Sequence, residues 1–260
     1  ELVQVRGSWL VAHRSDLGAA QRVLARLSTA ASEMPSAQAM TAPQLAELEP
    51  SVHGFAHAWL LPGEGQVDTV ATLLALQEQA PEVQWHWGQR VQAVHPGELV
   101  LENAGASART ERFDWAVDVR GVGAKPQLPV RGVRGEVVWL QAPQHGLTRS
   151  VRLLHPRHRV YLVPRSPDLL VVGASEIESE DRSPVSLRSM VELLSAAHSV
   201  MPALAEARVL RLDTNLRPAL PDNEPLTEVA PGLLSINGLF RHGWLLAPAV
   251  VQDALETVLA

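Results

Sequence analysis

An arginine between apolar residues is the first candidate for chemistry. Arg217 follows a predicted strand and lies between Leu216 and Pro218, a setting that favours a guanidinium directed into a cleft. A guanidinium presents a fixed fork of donors that matches a carboxylate. The sequence therefore predicts that Arg217 binds a ligand carrying a carboxylate. An ion pair with a surface acidic side chain is the alternative that the sequence leaves open.

A second candidate joins the last predicted strand to the last predicted helix, in the segment Gly238-Leu-Phe-Arg-His-Gly243-Trp-Leu-Leu-Ala-Pro248. The first N–H groups of a helix have no partner within it, and they lie at the positive end of its dipole. Gly238 and Gly243, one on each side of Arg241 and His242, allow close approach of the backbone to a bound group. The pattern predicts a contact with such a group, and simple helix initiation is the alternative.

Gly121-Val-Gly123 follows an apolar strand, as in the turn of a dinucleotide-binding loop. No third glycine or helix follows it, and Pro126 and Pro129 interrupt the chain instead. This segment is therefore more typical of a strand end beside a cofactor that other residues hold than of a primary phosphate-binding loop.

The residue types of the chain disfavour several other classes of enzyme and binding site. The chain contains no cysteine, which removes disulfides and thiolate metal sites. Its single lysine, Lys125, precedes a proline in a predicted loop, which disfavours a pyridoxal enzyme. His155, His158 and the acidic run 176–181 are predicted to form solvated loops rather than a metal site. The chain also has no Gly-x-Ser-x-Gly nucleophile elbow.

Composition indicates an ordinary globular protein with one large domain or two smaller ones. The chain has 260 residues, of which 46% are hydrophobic and 19% charged, and its formal net charge is −6. No basic stripe predicts a nucleic-acid partner, and no apolar run approaches the roughly 18 residues of a membrane span. The absence of cysteine fits a reducing compartment, so we expect a cytoplasmic protein.

The elements that must position these residues are a mixture of helices and strands. The predicted helices are 17–27, 43–49, 67–80, 186–200 and 243–260. The predicted strands are 57–61, 83–87, 90–94, 98–101, 113–119, 135–140, 159–163, 169–173, 209–212 and 233–236. The pattern predicts a mixed α/β fold, with strand–helix layers near both ends of the chain and an antiparallel sheet between them.

Several longer motifs carry a family resemblance. Leu147–Gly173 contains Leu-Thr-Arg-Ser-Val-Arg-Leu-Leu-His-Pro, then Val-Tyr-Leu-Val-Pro-Arg and Val-Val-Gly. Together with Val133–Glu136, Asn215–Pro218 and Gly238–Pro248, this segment resembles the glycine oxidase family of thiamine biosynthesis, within the larger D-amino-acid oxidase group. The resemblance runs in order over essentially the whole chain.

The resemblance implies a partial FAD-binding, Rossmann-like domain interleaved with an antiparallel-sheet substrate domain. Residues 1–55 and 128–218 would form the substrate domain, and residues 56–127 and 219–260 the remainder of the FAD-binding domain. The family's N-terminal strand–Gly-x-Gly-x-x-Gly–helix has no counterpart in this sequence. We expect that segment to lie upstream of Glu1 or to be supplied by another chain.

Residue roles also follow from the resemblance. Arg217 corresponds to the arginine that clamps the substrate carboxylate and Tyr161 to the tyrosine beside the substrate, and both are expected to be catalytic. Arg241 and Glu176 are expected to contact the substrate. Glu176 and Arg159 differ from the family, which has less charged residues at these two positions. The residues expected to bind the cofactor are Val91, Gly121, Gly238, Arg241, His242, Gly243, Trp244 and Leu245.

The implied activity is oxidation of glycine, or of a related small amine, to its imine by non-covalent FAD, with dioxygen reduced to hydrogen peroxide. Two alternatives stay open within the same scaffold: a D-amino-acid dehydrogenase and a sarcosine oxidase-like enzyme. A third is a non-catalytic fragment or subunit that needs a partner to bind FAD. A second copy of this chain is also open as a partner.

Overall fold

The computed structural model describes residues 2–30, 36–102, 107–157 and 159–259. The strands are β1 (Val3–Gln4), β2 (Ser8–Ala12), β3 (Gln38–Met40), β4 (His57–Leu61), β5 (Gln66–Val67), β6 (Val91–His95), β7 (Glu98–Leu101), β8 (Arg109–Arg112), β9 (Ala116–Asp118), β10 (Arg131–Gln141), β11 (Ser150–Leu154), β12 (Arg159–Ser166), β13 (Leu169–Gly173), β14 (Arg208–Ala219), β15 (Leu226–Ala230) and β16 (Leu233–Asn237). The α-helices are α1 (Leu17–Ala30), α2 (Ala42–Leu48), α3 (Thr69–Glu78), α4 (Leu187–Val200) and α5 (Gly243–Leu259). Short 3-10 helices occupy Arg14–Asp16, Gly121–Ala124 and Pro202–Glu206.

The chain divides into two compact units. Unit 1 consists of Glu1–Pro81, Gly135–Glu176 and Ser183–Thr214. Unit 2 consists of Glu82–Arg134, Ile177–Arg182 and Asn215–Ala260. Each unit is therefore assembled from three separate stretches of sequence.

An eight-stranded sheet dominates unit 1, in the order β14-β10-β13-β12-β11-β2-β4-β3. Strand β11 pairs with β2 in parallel, whereas the pairs β10–β13, β13–β12, β12–β11, β2–β4 and β4–β3 are antiparallel. Successive side chains on a strand point to opposite faces. In β12 this alternation directs Val160 and Leu162 into the core and leaves Tyr161 on the other face.

Helix α4 covers the core face of the sheet by packing against β12 and β13. Ser186 caps the helix by accepting the N–H of Ser189 at 3.1 Å. Leu193, Ala197 and Val200 face inward and join a single apolar cluster with residues from the sheet strands. This one-sided packing explains why the antiparallel strands alternate between apolar and more polar residues.

A buried carboxylate ties three segments of unit 1 together. Glu49, directly after α2, is 0% exposed. Its carboxylate accepts the indole N–H of Trp9 at 3.2 Å and the hydroxyl of Thr148 at 2.9 Å, and it lies 3.3 Å from a guanidinium nitrogen of Arg149. A buried charge is tolerated only when it is paired and hydrogen-bonded. Glu49 therefore links α2 to β2 and to the segment before β11.

Unit 2 is built around a three-stranded sheet in the order β15-β16-β9. The pair β16–β9 is parallel, and α5 packs on β15 and β16. Leu234 and Ile236 of β16 form a small core with Ala254 of α5. The second sheet of this unit, β6-β7-β8, is connected to the first by the Gly97 N–H, which donates to the carbonyl of Gly232 at 2.8 Å.

The predicted mixed α/β fold is confirmed, but one predicted strand is wrong. Residues 83–87 form no strand, although Val83, Trp85 and Trp87 alternate with polar residues. The rings of Trp85 and Trp87 stack on each other at 5.4 Å, and Trp87 is 70% exposed. Alternation indicates a strand only where a neighbouring strand can pair with it, and here the two indoles pack together instead.

Strand β8 was not predicted; it pairs with β7 and lies just before the predicted strand 113–119. Within the predicted strand 113–119, only Ala116–Asp118 form a strand, which is β9. The helix predicted at 67–80 is α3, which begins after Asp68, whose carboxylate accepts the N–H groups of Val70 and Ala71. None of the α3 residues is buried, and Val70, Leu73, Leu74 and Leu76 are 55–59% exposed.

The units divide the chain at other positions than the sequence-based scheme, which placed boundaries after residues 55, 127 and 218. Residues 57–61 belong to unit 1 because β4 pairs with β2 and β3 in the eight-stranded sheet. Residues 128–134 belong to unit 2. The assignment of one unit to the substrate and the other to the cofactor stays a prediction.

Replacing Glu49 by alanine should destabilise unit 1 strongly. The change leaves the Trp9 indole and the Arg149 guanidinium without their buried acceptor, a loss of about 3–5 kcal/mol. Denaturant unfolding measures the difference. Glu47→Ala is the matched control because Glu47 is exposed on α2, and it should cost less than about 0.5 kcal/mol. Equal stability losses in the two variants would contradict this role of Glu49.

Candidate functional site

Tyr161 lies in the middle of the eight-stranded sheet of unit 1. It pairs with Arg152 of β11 on one side and with Gly173 of β13 on the other. The side chain is half-buried, on the face opposite the apolar core. The Tyr161 phenol is therefore held by a rigid strand outside the core, where it can contact a small ligand.

Glu176 and Arg159, the two charged departures from the family pattern, also belong to unit 1. Glu176 is exposed, three residues beyond the end of β13, and Arg159 is exposed at the first position of β12. Both therefore flank the strand pair that carries Tyr161. Their contact with a substrate stays a prediction.

Arg217 lies in the part of β14 that belongs to unit 2 and is half-buried. The neighbouring Pro218 is the meeting point of two other predicted segments. Its carbonyl accepts the N–H of Phe240 at 3.1 Å, which fixes the chain just ahead of α5. A Cβ added to Gly121 would lie 3.4 Å from Cγ of Pro218. Unit 2 thus brings the Gly121 turn, the Arg217 strand and the start of α5 together around one proline.

The segment before α5 is held in a conformation that needs glycine. Gly238 is buried and has φ of +71°, and a Cβ there would lie 2.8 Å from Leu220 Cδ1 and 3.0 Å from the Glu224 carbonyl oxygen. Asn237 accepts the Gly238 N–H with its own side chain at 2.8 Å. This close packing sets the entry of the chain into α5.

The first turn of α5 carries the remaining predicted cofactor residues. Arg241 and His242 are exposed and Gly243 is half-buried, and the side chains of Trp244 and Leu245 are 47% and 77% exposed. The carbonyl of His242 accepts the N–H groups of Leu245 and Leu246 and so closes the first helical turn. The positive end of a 17-residue helix therefore lies at this exposed apolar start.

The Gly121 turn is clamped from two strands. Asp118, at the end of β9, accepts three hydrogen bonds from Arg120: from its backbone N–H at 3.1 Å, from Nε at 2.9 Å and from the second guanidinium nitrogen at 2.7 Å. Asn237 of β16 donates its side-chain N–H to the Gly121 carbonyl at 3.0 Å. The turn is therefore fixed by the protein itself.

Electrostatics keep Asp118 ionised. Burial acts to raise the pKa of Asp118, but the side-chain and backbone hydrogen bonds from Arg120 and its positive charge outweigh burial, so the pKa lies below its ordinary value of 3.8. Asp118 is 5% exposed, and the side chain of its partner Arg120 is 15% exposed. The pair is thus a desolvated charge-assisted clamp rather than a surface contact.

A cavity of about 630 Å³ adjoins this turn within unit 2. Its lining includes Val91, Arg120, Gly123 and Lys125. Val91 and the turn that contains Gly121, both predicted to bind the cofactor, thus border the same space. A cavity of this size can hold a nucleotide-sized group.

Sequence reasoning missed Asp118, Arg120 and Asn237. An available signal was the Asp-x-Arg-Gly order at the end of a strand, because an Asp side chain readily bonds the backbone two residues on. Within the described residues no group of three His, Asp or Glu side chains is placed to hold a metal ion, and His158 lies outside the described residues. No described helix is both long and apolar enough to cross a membrane.

The chain is similar to known oxidoreductases. A relative from Rhizobium etli, ThiO, whose name assigns it to thiamine biosynthesis as an oxidoreductase, is 46% identical over 147 residues, which cover 56% of this chain and 45% of that protein. Glycine oxidase of Geobacillus kaustophilus is 27% identical over 237 residues, which cover 84% of this chain and 62% of that protein. This chain therefore matches only part of the length of each relative.

Solved structures give the same fold. The glycine oxidase of Geobacillus kaustophilus superposes with a TM-score of 0.79 at 25% identity, covering 98% of this chain and 72% of that one. Iminodiacetate oxidase of Chelativorans superposes equally well, with a TM-score of 0.79 at 20% identity, over 100% of this chain and 73% of that one.

A family model described as DAO, FAD dependent oxidoreductase, matches residues 2–254, nearly the entire chain. With the fold and the glycine-bounded turns of unit 2, this match establishes that the chain belongs to the DAO family of FAD-dependent oxidoreductases.

Proposed function

We propose that this protein oxidises a small amino acid, with glycine as the preferred substrate, by means of non-covalently bound FAD. Glycine loses two electrons and two protons to become its imine, and dioxygen takes them up as hydrogen peroxide. Water then converts the imine to glyoxylate and ammonia, unless thiazole synthesis consumes it first. The names of the ThiO and glycine oxidase relatives support this substrate class.

The observation that carries the proposal is the convergence at Pro218. Its ring lies 3.4 Å from the position that a Cβ at Gly121 would take, and its carbonyl accepts the Phe240 N–H, so the residue after Arg217 lies beside both segments predicted to bind the cofactor. A substrate carboxylate held by Arg217 would therefore lie near a cofactor held by those segments. Good positioning of this kind can supply about 7–11 kcal/mol of the barrier reduction.

The residues present fit FAD. Gly121 has φ of +55° and Gly238 φ of +71°, backbone conformations that residues with side chains rarely adopt. At Gly238 the surroundings are also too close for a side chain, since a Cβ would lie 2.8 Å from Leu220 Cδ1. The positive start of α5 suits an anionic group, and the exposed Trp244 and Leu245 offer apolar contact to a ring system. When bound, FAD accepts a hydride from the substrate α-carbon and passes the electrons to dioxygen.

The chain's own residues would bind and orient the substrate. Arg217 would pair with the carboxylate through its guanidinium fork. Tyr161 would position the substrate by its hydroxyl rather than exchange protons, since hydride transfer depends on geometry more than on acid–base groups. Arg241 and Glu176 would contribute charge near the substrate, and Glu176 would favour a substrate that carries a positive charge.

FAD binding should be visible in the absorption spectrum of the purified protein after FAD is added and free FAD is removed by desalting. We expect retained flavin bands, and we expect Trp244→Ala to weaken FAD binding by about tenfold, or about 1.4 kcal/mol, because an apolar contact at the α5 start is lost. Leu255→Ala, later on the same helix and 44% exposed, is the control and should retain FAD. A colourless wild-type protein would instead favour a chain that needs a partner to bind FAD.

Arg217→Ala should raise KM for glycine by on the order of 10- to 100-fold, because a charge-assisted pair with the carboxylate is worth about 1.5–3 kcal/mol. Arg217→Lys should recover only part of the loss, since lysine lacks the planar fork. Peroxide production in air measures KM and separates an oxidase from a dehydrogenase. Arg211→Ala is the control on the same strand, because Arg211 stacks over Trp139 and pairs with Asp213. Unchanged KM in Arg217→Ala would refute the clamp.

Asp118→Asn should loosen the Gly121 turn and lower both FAD affinity and stability, the latter by about 1–3 kcal/mol at neutral pH. Because the folded-state pKa of Asp118 is lowered, its stabilisation is present above the ordinary value of 3.8 and is lost as pH falls through the lower folded value. The stability gap between wild type and variant should therefore close on acidification. Denaturant unfolding at several pH values measures it, with Asp114→Asn, an exposed residue, as control. A gap independent of pH would contradict the ionised clamp.

A further inference from the structure

Tyr161 lies directly opposite a glycine. In the register of β12 and β13 it pairs with Gly173, so both residues face the same side of the sheet. A Cβ added to Gly173 would lie 2.6 Å from Cζ and from the hydroxyl oxygen of Tyr161, and 2.8 Å from Cε2. Non-bonded carbon atoms rest about 3.5–4.0 Å apart. The phenol therefore occupies the volume that any side chain at position 173 would need.

The backbone at Gly173 is held on both sides. Strand β13 lies between β10 and β12, and Gly173 pairs with Val137 as well as with Tyr161. Two residues further on, the Ser175 N–H donates to the carbonyl of Glu136 at 3.1 Å and its hydroxyl donates to the Glu136 carboxylate at 3.0 Å. Glu136 is 0% exposed. The strand is thus less free to move than the half-buried ring above it.

Glycine inside a strand normally weakens it, because it has no side chain to pack and it loses more backbone entropy than other residues. A glycine in the central part of a sheet therefore points to a close approach by another group. Here that group is the ring of Tyr161 itself, which lies across the glycine.

We infer that Gly173 is a positioning residue for the substrate: its lack of a side chain lets the Tyr161 ring lie across β13, and this fixes where the hydroxyl stands on that face. The inference rests on the proposed function in that the substrate binds beside Tyr161. A tyrosine ring moves as a rigid body about χ1 and χ2. A methyl group at position 173 would therefore displace the hydroxyl together with the ring.

The sequence offers a direct probe, since Tyr161 is the only tyrosine of the chain. Biosynthetic 3-fluorotyrosine labelling gives a 19F spectrum that reports on this one ring. We expect Gly173→Ala in the FAD-supplemented protein to shift that resonance. We also expect it to lower kcat/KM for glycine by on the order of 10- to 100-fold, as a misplaced contact group does.

Gly132→Ala controls for the general cost of a methyl group added within a strand. Gly132 lies in β10, and its Cβ would meet the flexible end of Leu216 at 2.9 Å. This variant should leave the 19F resonance of Tyr161 unchanged. Tyr161→Ala supplies the second control, because Gly173→Ala should cause no further loss of kcat/KM once the ring is gone. A purely structural role of Gly173 would cause the same loss in both backgrounds.

The possible failures can be told apart. An unchanged 19F resonance in Gly173→Ala overturns the inference alone, whatever the activity. An equal loss of kcat/KM with and without the Tyr161 ring overturns it as well. A wild-type protein that neither oxidises glycine nor shows a 19F response to anaerobic glycine overturns the proposed function and, with it, the substrate role of Gly173.

Discussion

Side-chain alternation along the central strands of unit 1 is the constraint on which the rest of that unit depends. In β12, Val160 and Leu162 bury apolar surface under α4, and this burial fixes the register of the strand. A shift of one residue would bury Tyr161 and expose both apolar neighbours. The position of the phenol on the opposite face is thus a consequence of core packing, and it requires no separate stabilisation.

Buried carboxylates secure the loops that follow the strands. Glu49 binds Trp9, Thr148 and Arg149, and Glu136 accepts hydrogen bonds from the Ser175 hydroxyl and from the Ser186 N–H at 3.0 Å each. Each carboxylate replaces lost hydration with several donors, which is the condition for burying a charge. The segment after β13 and the start of α4 are therefore tied to the same side chain.

Unit 2 relies on a different principle, the close approach of backbone segments. Gly121 and Gly238 adopt positive φ, and Asp118 and Asn237 bond the turn that contains Gly121. A site whose backbone is already fixed loses little conformational entropy when a ligand binds. The exposed apolar side chains at the start of α5 lie beside this fixed framework, which is consistent with a cofactor contact there.

The sequence by itself determined most of the elements, because helix periodicity, strand alternation and capping residues act over a few neighbouring positions. It also identified Arg217, the Gly121 turn and the Gly238–Pro248 segment as candidates, since their chemistry is visible in residue types and short spacings. The family resemblance added their roles, and the family match confirmed the family.

Only the tertiary structure decided which of these segments meet. The convergence at Pro218, the Asp118–Arg120 clamp with Asn237, and the contact of Tyr161 with Gly173 depend on strand order and register. The failure of the strand predicted at 83–87 has the same origin, because a strand needs a partner that its own sequence does not specify. Local patterns follow from interactions between neighbours in the chain, whereas sites are formed by residues far apart in sequence, and their contacts are set by the packing of the whole unit.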